Sequence, residues 1–135
     1  MKYKILIDTN IFFIPFYNNF DIINELKDFL SRNNIEYEGF YTLRKNIIEV
    51  ENKISGSRSK KWKKIYGLVL EYIKKNNINI IETKENYEKT DRLIIKTALS
   101  DKFIVCTLDR NLRIILKKLR IPVIFYSNKK LHIIW

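Results

Sequence analysis

The chain has 135 residues, with 26 Lys and Arg against 15 Asp and Glu, a formal net charge of +11. Hydrophobic residues make up 46% and charged residues 30%, which excludes a disordered chain and leads us to expect one domain spanning 1-135 with a real core. No apolar run approaches the length of a membrane span, no signal-peptide pattern opens the chain, and a single cysteine excludes an internal disulfide, so a soluble cytoplasmic protein is expected. The positive charge favours a polyanionic partner, either nucleic acid or an anionic membrane surface.

Ile5-Leu6-Ile7, with Tyr3 just before, reads as a strand buried on both faces, and it stops on Asp8-Thr9-Asn10. Ile11 to Ile14 is apolar and closed by Pro15, which predicts a short helical turn or loop. Asp21 then fits the cap of a helix carrying Ile22, Ile23, Leu26, Phe29 and Leu30. Tyr37 to Tyr41 reads as a short strand around Gly39, and Thr42 as the cap of a helix running through Leu43, Ile47, Ile48, Val50 and Ile54 to about Gly56. Ser57 to Lys64 is the most basic segment and leads into a helix with Ile65, Leu68, Val69, Tyr72 and Ile73. A strand at Asn79 to Ile81, a helix from Thr90 and a buried strand from Phe103 to Cys106 follow. Asp109 opens a helix using Leu112, Ile115, Leu116 and Leu119, and strands at Pro122 to Phe125 and Leu131 to Ile134 finish the chain. Cys106 and His132 read as core and strand residues, which leaves no His/Cys cluster for zinc. Alternating strands and helices indicate an α/β three-layer sandwich with a mainly parallel central sheet flanked by helices.

In such a sheet, sites assemble at the carboxyl ends of strands. Asp8 follows the first strand, Asp109 follows Phe103 to Cys106, and Asp91 stands at the start of the helix after the Ile78 to Ile81 region. Each also fits a turn or helix-start role on its own. Three on one edge of a basic chain form a constellation. A fourth carboxylate comes from Glu49 or Glu51, and helical periodicity does not decide between them. Crowded carboxylates repel unless a cation intervenes, and oxygen ligands suit Mg²⁺ or Mn²⁺, the ions of phosphodiester hydrolysis.

Ile7-Asp8-Thr9-Asn10, Glu49, Thr90-Asp91 and Cys106-Thr107-Leu108-Asp109-Arg110-Asn111-Leu112 together resemble the pattern of PIN-domain nucleases, in order and over essentially the whole chain. The Ile14-Pro15-Phe16 segment is closer to small archaeal single-domain PIN proteins, relatives of rRNA-processing endonucleases and of VapC-type toxins. The resemblance implies a Mg²⁺- or Mn²⁺-dependent endoribonuclease leaving 5′-phosphate ends. It assigns catalytic metal-ligand roles to Asp8, Glu49, Asp91 and Asp109, with Asn10 and Thr107 as accessory residues. Many relatives carry a second acidic residue where this chain has Asn111, an amide that coordinates only through its oxygen and adds no charge. That departure motivates the alternative of a catalytically weak or inactive PIN-fold RNA-binding protein in ribosome assembly. A receiver-like phosphoacceptor module ranks last, because the acidic pair and lysine it needs are not evident.

The expected partner is RNA, rRNA or another structured or single-stranded RNA, and no membrane. The resemblance adds a homodimer and, for a toxin, an antitoxin protein. Phe12 to Phe20 is the one segment offering an apolar interface, unless it is core. Arg58, Lys60, Lys61, Lys63 and Lys64 around Trp62 supply phosphate contacts and a stacking ring, or else form a solvated charge run with Trp62 packed inward. Arg110 and Arg113 stand nearest Asp109 and are placed to hold the scissile strand.

Overall fold

The computed structural model describes residues 2–84 and 88–135. Strand β1 (Tyr3–Ile7) enters a 3-10 helical turn (Thr9–Phe13), followed by helices α1 (Ile14–Asn18) and α2 (Ile22–Arg32). Strand β2 (Tyr37–Leu43) leads to α3 (Arg44–Gly56) and α4 (Lys60–Lys75), then β3 (Asn79–Ile81) to α5 (Thr90–Ser100). Strand β4 (Phe103–Cys106), α6 (Arg110–Lys118), β5 (Val123–Ser127) and β6 (Lys130–Ile134) complete the chain. Among the described residues six strands form one sheet in the order β3-β2-β1-β4-β5-β6. All neighbours run parallel except β6, which folds back on β5 through Asn128 and Lys129. Both turn residues have positive φ, 53° and 59°, the mirror-image turn that matches strand twist.

The sheet is a three-layer α/β/α sandwich because its strands alternate between two cores. Ile5 and Ile7 of β1, with Ile104 and Cys106 of β4, join the side chains of α2, α3 and α4. Leu6, Phe103 and Val105 point the other way, against α5 and α6. This is the period of two expected of strands buried on both faces. No helix among the described residues is long and apolar enough to cross a membrane.

Four local expectations change. Thr42 is not a helix cap. Strand β2 continues through it to Leu43, and its buried hydroxyl donates to the Ile7 carbonyl at 2.8 Å. Pro15 does not close its segment but sits in the first turn of α1, where an amide N–H has no helical partner to lose. Asp21 stands at the start of α2 without bonding its backbone; its carboxylate accepts from Asn24 at 2.7 Å and from the Tyr72 hydroxyl. That hydroxyl in turn accepts the Ile23 amide at 3.0 Å, so a residue of α4 does the capping. Finally, Phe12, Phe13 and Ile14 are core, with Phe16 and Phe20 packed against it, which takes most of the Phe12 to Phe20 segment out of reach of a partner. Gly39 is the position where glycine is required: its φ is 135°, and an added Cβ would stand 3.2 Å from Asn79 Nδ2.

Candidate functional site

Strands β1 and β4 lie side by side where the strand order reverses, β2 and β3 leading one way and β5 and β6 the other. Ligand crevices of parallel sheets open at that point, outside the carboxyl ends of the strands. Ile7 pairs with Cys106, and the Asp8 amide donates to the Cys106 carbonyl at 2.9 Å, so Asp8 and Thr107 leave the sheet together. Asp8 Oδ2 accepts from Thr107 Oγ1 at 2.9 Å; Oδ1 accepts from the Thr9 amide at 2.8 Å and from Asn46 Nδ2 at 3.2 Å. Burial pushes the Asp8 carboxyl above the ordinary aspartate range. The bonds from Thr107 and Thr9 pull it down, and the charges of Glu49 and Asp109 push it up again.

A pocket of about 190 Å³ opens beside this carboxylate. Its polar wall is Asp8, Thr9, Asn10, Glu49, Lys53, Thr90 and Asp91, and its apolar wall is Ile94 and Leu112. Glu49 reaches it from α3, with Oε1 3.5 Å from Thr9 Oγ1, whereas Glu51 is exposed and does not line it. Asp91 comes from the first turn of α5, where the helix dipole favours a carboxylate. Three elements thus bring three carboxylates to one pocket. Their oxygens are the donors a hard divalent cation takes, and no histidine or cysteine is among the described residues of the wall. They ring the pocket rather than converge: among the described residues no three acidic, histidine or cysteine side chains are gathered as a ready-made ion site.

A solved structure of the PIN domain endonuclease Utp24 superposes on this chain with a TM-score of 0.75, at 19% sequence identity, covering 97% of this chain and 90% of that one. The chain has the PIN-domain fold. No protein-family model and no curated protein matches the sequence.

Asp109 stands apart from the pocket of this PIN-fold chain. It caps α6, Oδ1 accepting the amides of Asn111 at 2.9 Å and Leu112 at 3.2 Å, while its own amide donates to Thr107 Oγ1 at 3.1 Å. Thr107 therefore links it to Asp8. Asn111 is exposed in the first turn of α6. Arg58, Lys60, Lys61, Lys63 and Lys64 are exposed at and just before the start of α4. Arg110 and Arg113 line a different pocket with Ile114, Lys117 and Ile134, and the Arg113 guanidinium lies 4.3 Å from the centre of the Phe125 ring. Trp62 is 40% exposed, neither fully solvated nor packed into the core.

Two residues of the site escape sequence reasoning. Asn46 is buried and joins three segments: its Oδ1 accepts the Leu43 amide at 3.1 Å, and its Nδ2 donates to Thr9 Oγ1 at 2.6 Å as well as to Asp8. Lys53 brings the one cation found in the pocket wall among the described residues. The trace they leave in the sequence is spacing: Asn46, Glu49 and Lys53 are separated by three and then four residues and share one helix face. A polar stripe of that kind is indistinguishable from a solvated face until the neighbour of α3 is known.

Proposed function

We propose that this PIN domain is a metal-dependent endoribonuclease that hydrolyses RNA phosphodiester bonds, in RNA maturation or as a toxin-type ribonuclease. The observation that carries the reading is the meeting of Asp8, Glu49 and Asp91 on one pocket at the strand-order reversal of a chain with a net charge of +11. Such a molecule draws a polyanion toward a pit that repels it, a useful arrangement only when the pit holds a cation. Asp8, Glu49 and Asp91 would hold Mg²⁺ or Mn²⁺, with Asp109 beside them through Thr107. Bound there, the metal supplies a water of lowered pKa and neutralises charge on the phosphate and the departing oxygen.

The residues of the chain do the positioning. Thr107 and Asn46 fix the Asp8 carboxylate from opposite oxygens, so its orientation does not depend on a flexible rotamer. Lys53 stands on the pocket wall as a counter-charge for a phosphate adjacent to the scissile one. Asn10 and Thr90 add neutral oxygen donors that can orient water.

Replacing Asp8 by Asn tests the reading with end-labelled RNA and added Mn²⁺ or Mg²⁺. Wild-type protein should cut the strand internally and leave 5′-phosphate ends, and Asp8→Asn should abolish cleavage while still binding RNA. Undiminished cleavage by Asp8→Asn would remove Asp8 from the chemistry. Wild-type protein that binds RNA and never cuts it would hand the function to the non-catalytic RNA-binding alternative.

A further inference from the structure

Beside the acidic pocket lies a second one of about 410 Å³, within the roughly 300–1,000 Å³ of small-ligand sites. The two share Asn10 and Lys53 in their walls. Four aromatic rings close a circuit around the second pocket. Phe13 meets Tyr66 edge-on at 5.7 Å, Tyr66 stacks on Trp62 at 6.0 Å with planes 29° apart, Trp62 meets Tyr17 at 6.1 Å, and Tyr17 returns to Phe13 at 6.1 Å. Tyr17 and Trp62 remain 53% and 40% exposed, an unusual concentration of ring surface facing water. Tyr126 lines the same wall, and its buried hydroxyl has no hydrogen-bond partner among the described residues. The hydroxyl is closed off from solvent, so the wall is apolar and open, with Asn10, Asn18 and Lys53 as its polar margin.

We infer that this aromatic pocket is a base-binding subsite that takes one unpaired nucleobase of single-stranded RNA, next to the position of the scissile phosphate. The inference rests on the RNA reading above and narrows its substrate to a strand that can offer an unstacked base. A nucleobase is flat, has a π face on each side and carries polar edges, which suits exposed rings bordered by the side-chain amides of Asn10 and Asn18. Charge selects it over an apolar peptide. Lys53, whose Nζ lies 5.9 Å from the centre of the Tyr66 ring, stands between the two pockets where the phosphate joining two nucleotides would run. Exposed lysines flank Trp62 on the same helical turn of α4. A base inside a duplex reaches the pocket only after unpairing and unstacking, so double-stranded RNA is disfavoured.

The test measures binding in EDTA, where no cleavage confuses it, by anisotropy of a labelled short oligoadenylate. Parallel arms use the same strand annealed to oligouridylate and the same backbone carrying abasic riboses. Wild-type protein should bind the single strand more tightly than either alternative, and Trp62→Ala should weaken single-strand binding about tenfold while leaving duplex binding alone. Tyr17→Ala provides a second exposed position, and Trp62→Phe should retain most of the affinity while losing the quenching of tryptophan emission by oligoadenylate. Equal affinity for the base-bearing and abasic strands, or unchanged affinity in both alanine variants, overturns the inference and leaves the pocket to another occupant such as an apolar peptide segment. The nuclease reading fails separately: base-dependent binding without cleavage removes the chemistry and keeps the subsite, whereas intact cleavage with indifferent Trp62→Ala and Tyr17→Ala removes only the subsite.

Discussion

Asp8 accepts hydrogen bonds from Thr9, Asn46 and Thr107, yet it holds its proton to higher pH than an ordinary aspartate because burial outweighs those donors. The folded state therefore binds that proton more tightly than the unfolded chain does. Stability falls as pH rises from the ordinary aspartate pKa of about 3.9 to the raised folded value, and above that the full penalty of the buried charge is present. Asp8→Asn removes the charge. In EDTA it should melt above the wild type at neutral pH, and the gap should close as pH drops below the ordinary aspartate range. Urea melts of both proteins across that range check the sign, and a wild type more stable than the variant at neutral pH would mean that the hydrogen bonds outweigh burial. The neighbouring Cys106 thiol is also pushed up, by complete burial and then by the Asp8 charge, so it is an inert core group rather than a nucleophile.

The helices are built with little glycine. Only three are present, and left-handed positions that glycine often fills are taken by Asn34, Asn77 and Arg120, following α2, α4 and α6, with φ of 56°, 55° and 60°. Asparagine tolerates that conformation because its short side chain bonds locally; arginine has no such help. Gly67, by contrast, sits inside α4, where no left-handed backbone calls for it, and a Cβ there would meet nothing within 4 Å. Gly67→Ala should stabilise the protein by about 0.5–1 kcal/mol through helix propensity. The expected result is a higher midpoint of chemical denaturation at an unchanged slope, and a lower midpoint would reveal a steric or functional demand at that position. The helix matters beyond its stability, since it carries both the lysine cluster and the Trp62 and Tyr66 rings.

For the molecule as a whole, charge has a geography: an acidic pocket at the carboxyl edge of the sheet, and exposed cations at the start of α4 and along α6. Substituting Lys60, Lys61, Lys63 and Lys64 together by Ala should weaken RNA binding and flatten its dependence on salt. The logarithmic slope should fall by about 0.7 for each lysine that meets a phosphate of single-stranded RNA. Because these side chains are exposed, thermal stability should hardly change. An unchanged salt slope would move the RNA path to another surface, with Arg110 and Arg113 the next to substitute.

The fold class was legible because its signals are local. Ile5-Leu6-Ile7 and Phe103 to Cys106 announce strands buried on both faces, and helical spacing marks α2 and α4 without reference to any partner. The same local reading put Asp8 and Asp109 just beyond strands and Asp91 at a helix start. Boundaries failed where a distant group intervened: Thr42 belongs to a strand because it bonds to Ile7, 35 residues away, and α2 is capped by a tyrosine of α4, 49 residues from the amide it accepts. The site depended still more on such contacts. Asn46 reaches Asp8 across 38 residues and Thr107 reaches it across 99, while the aromatic pocket joins Phe13 and Tyr17 to Trp62 and Tyr66. Backbone periodicity is written in neighbouring residues, so composition and spacing reveal it. The order of strands and the convergence of side chains depend on which surfaces pack together, and only the assembled sheet with its helices in place decides that.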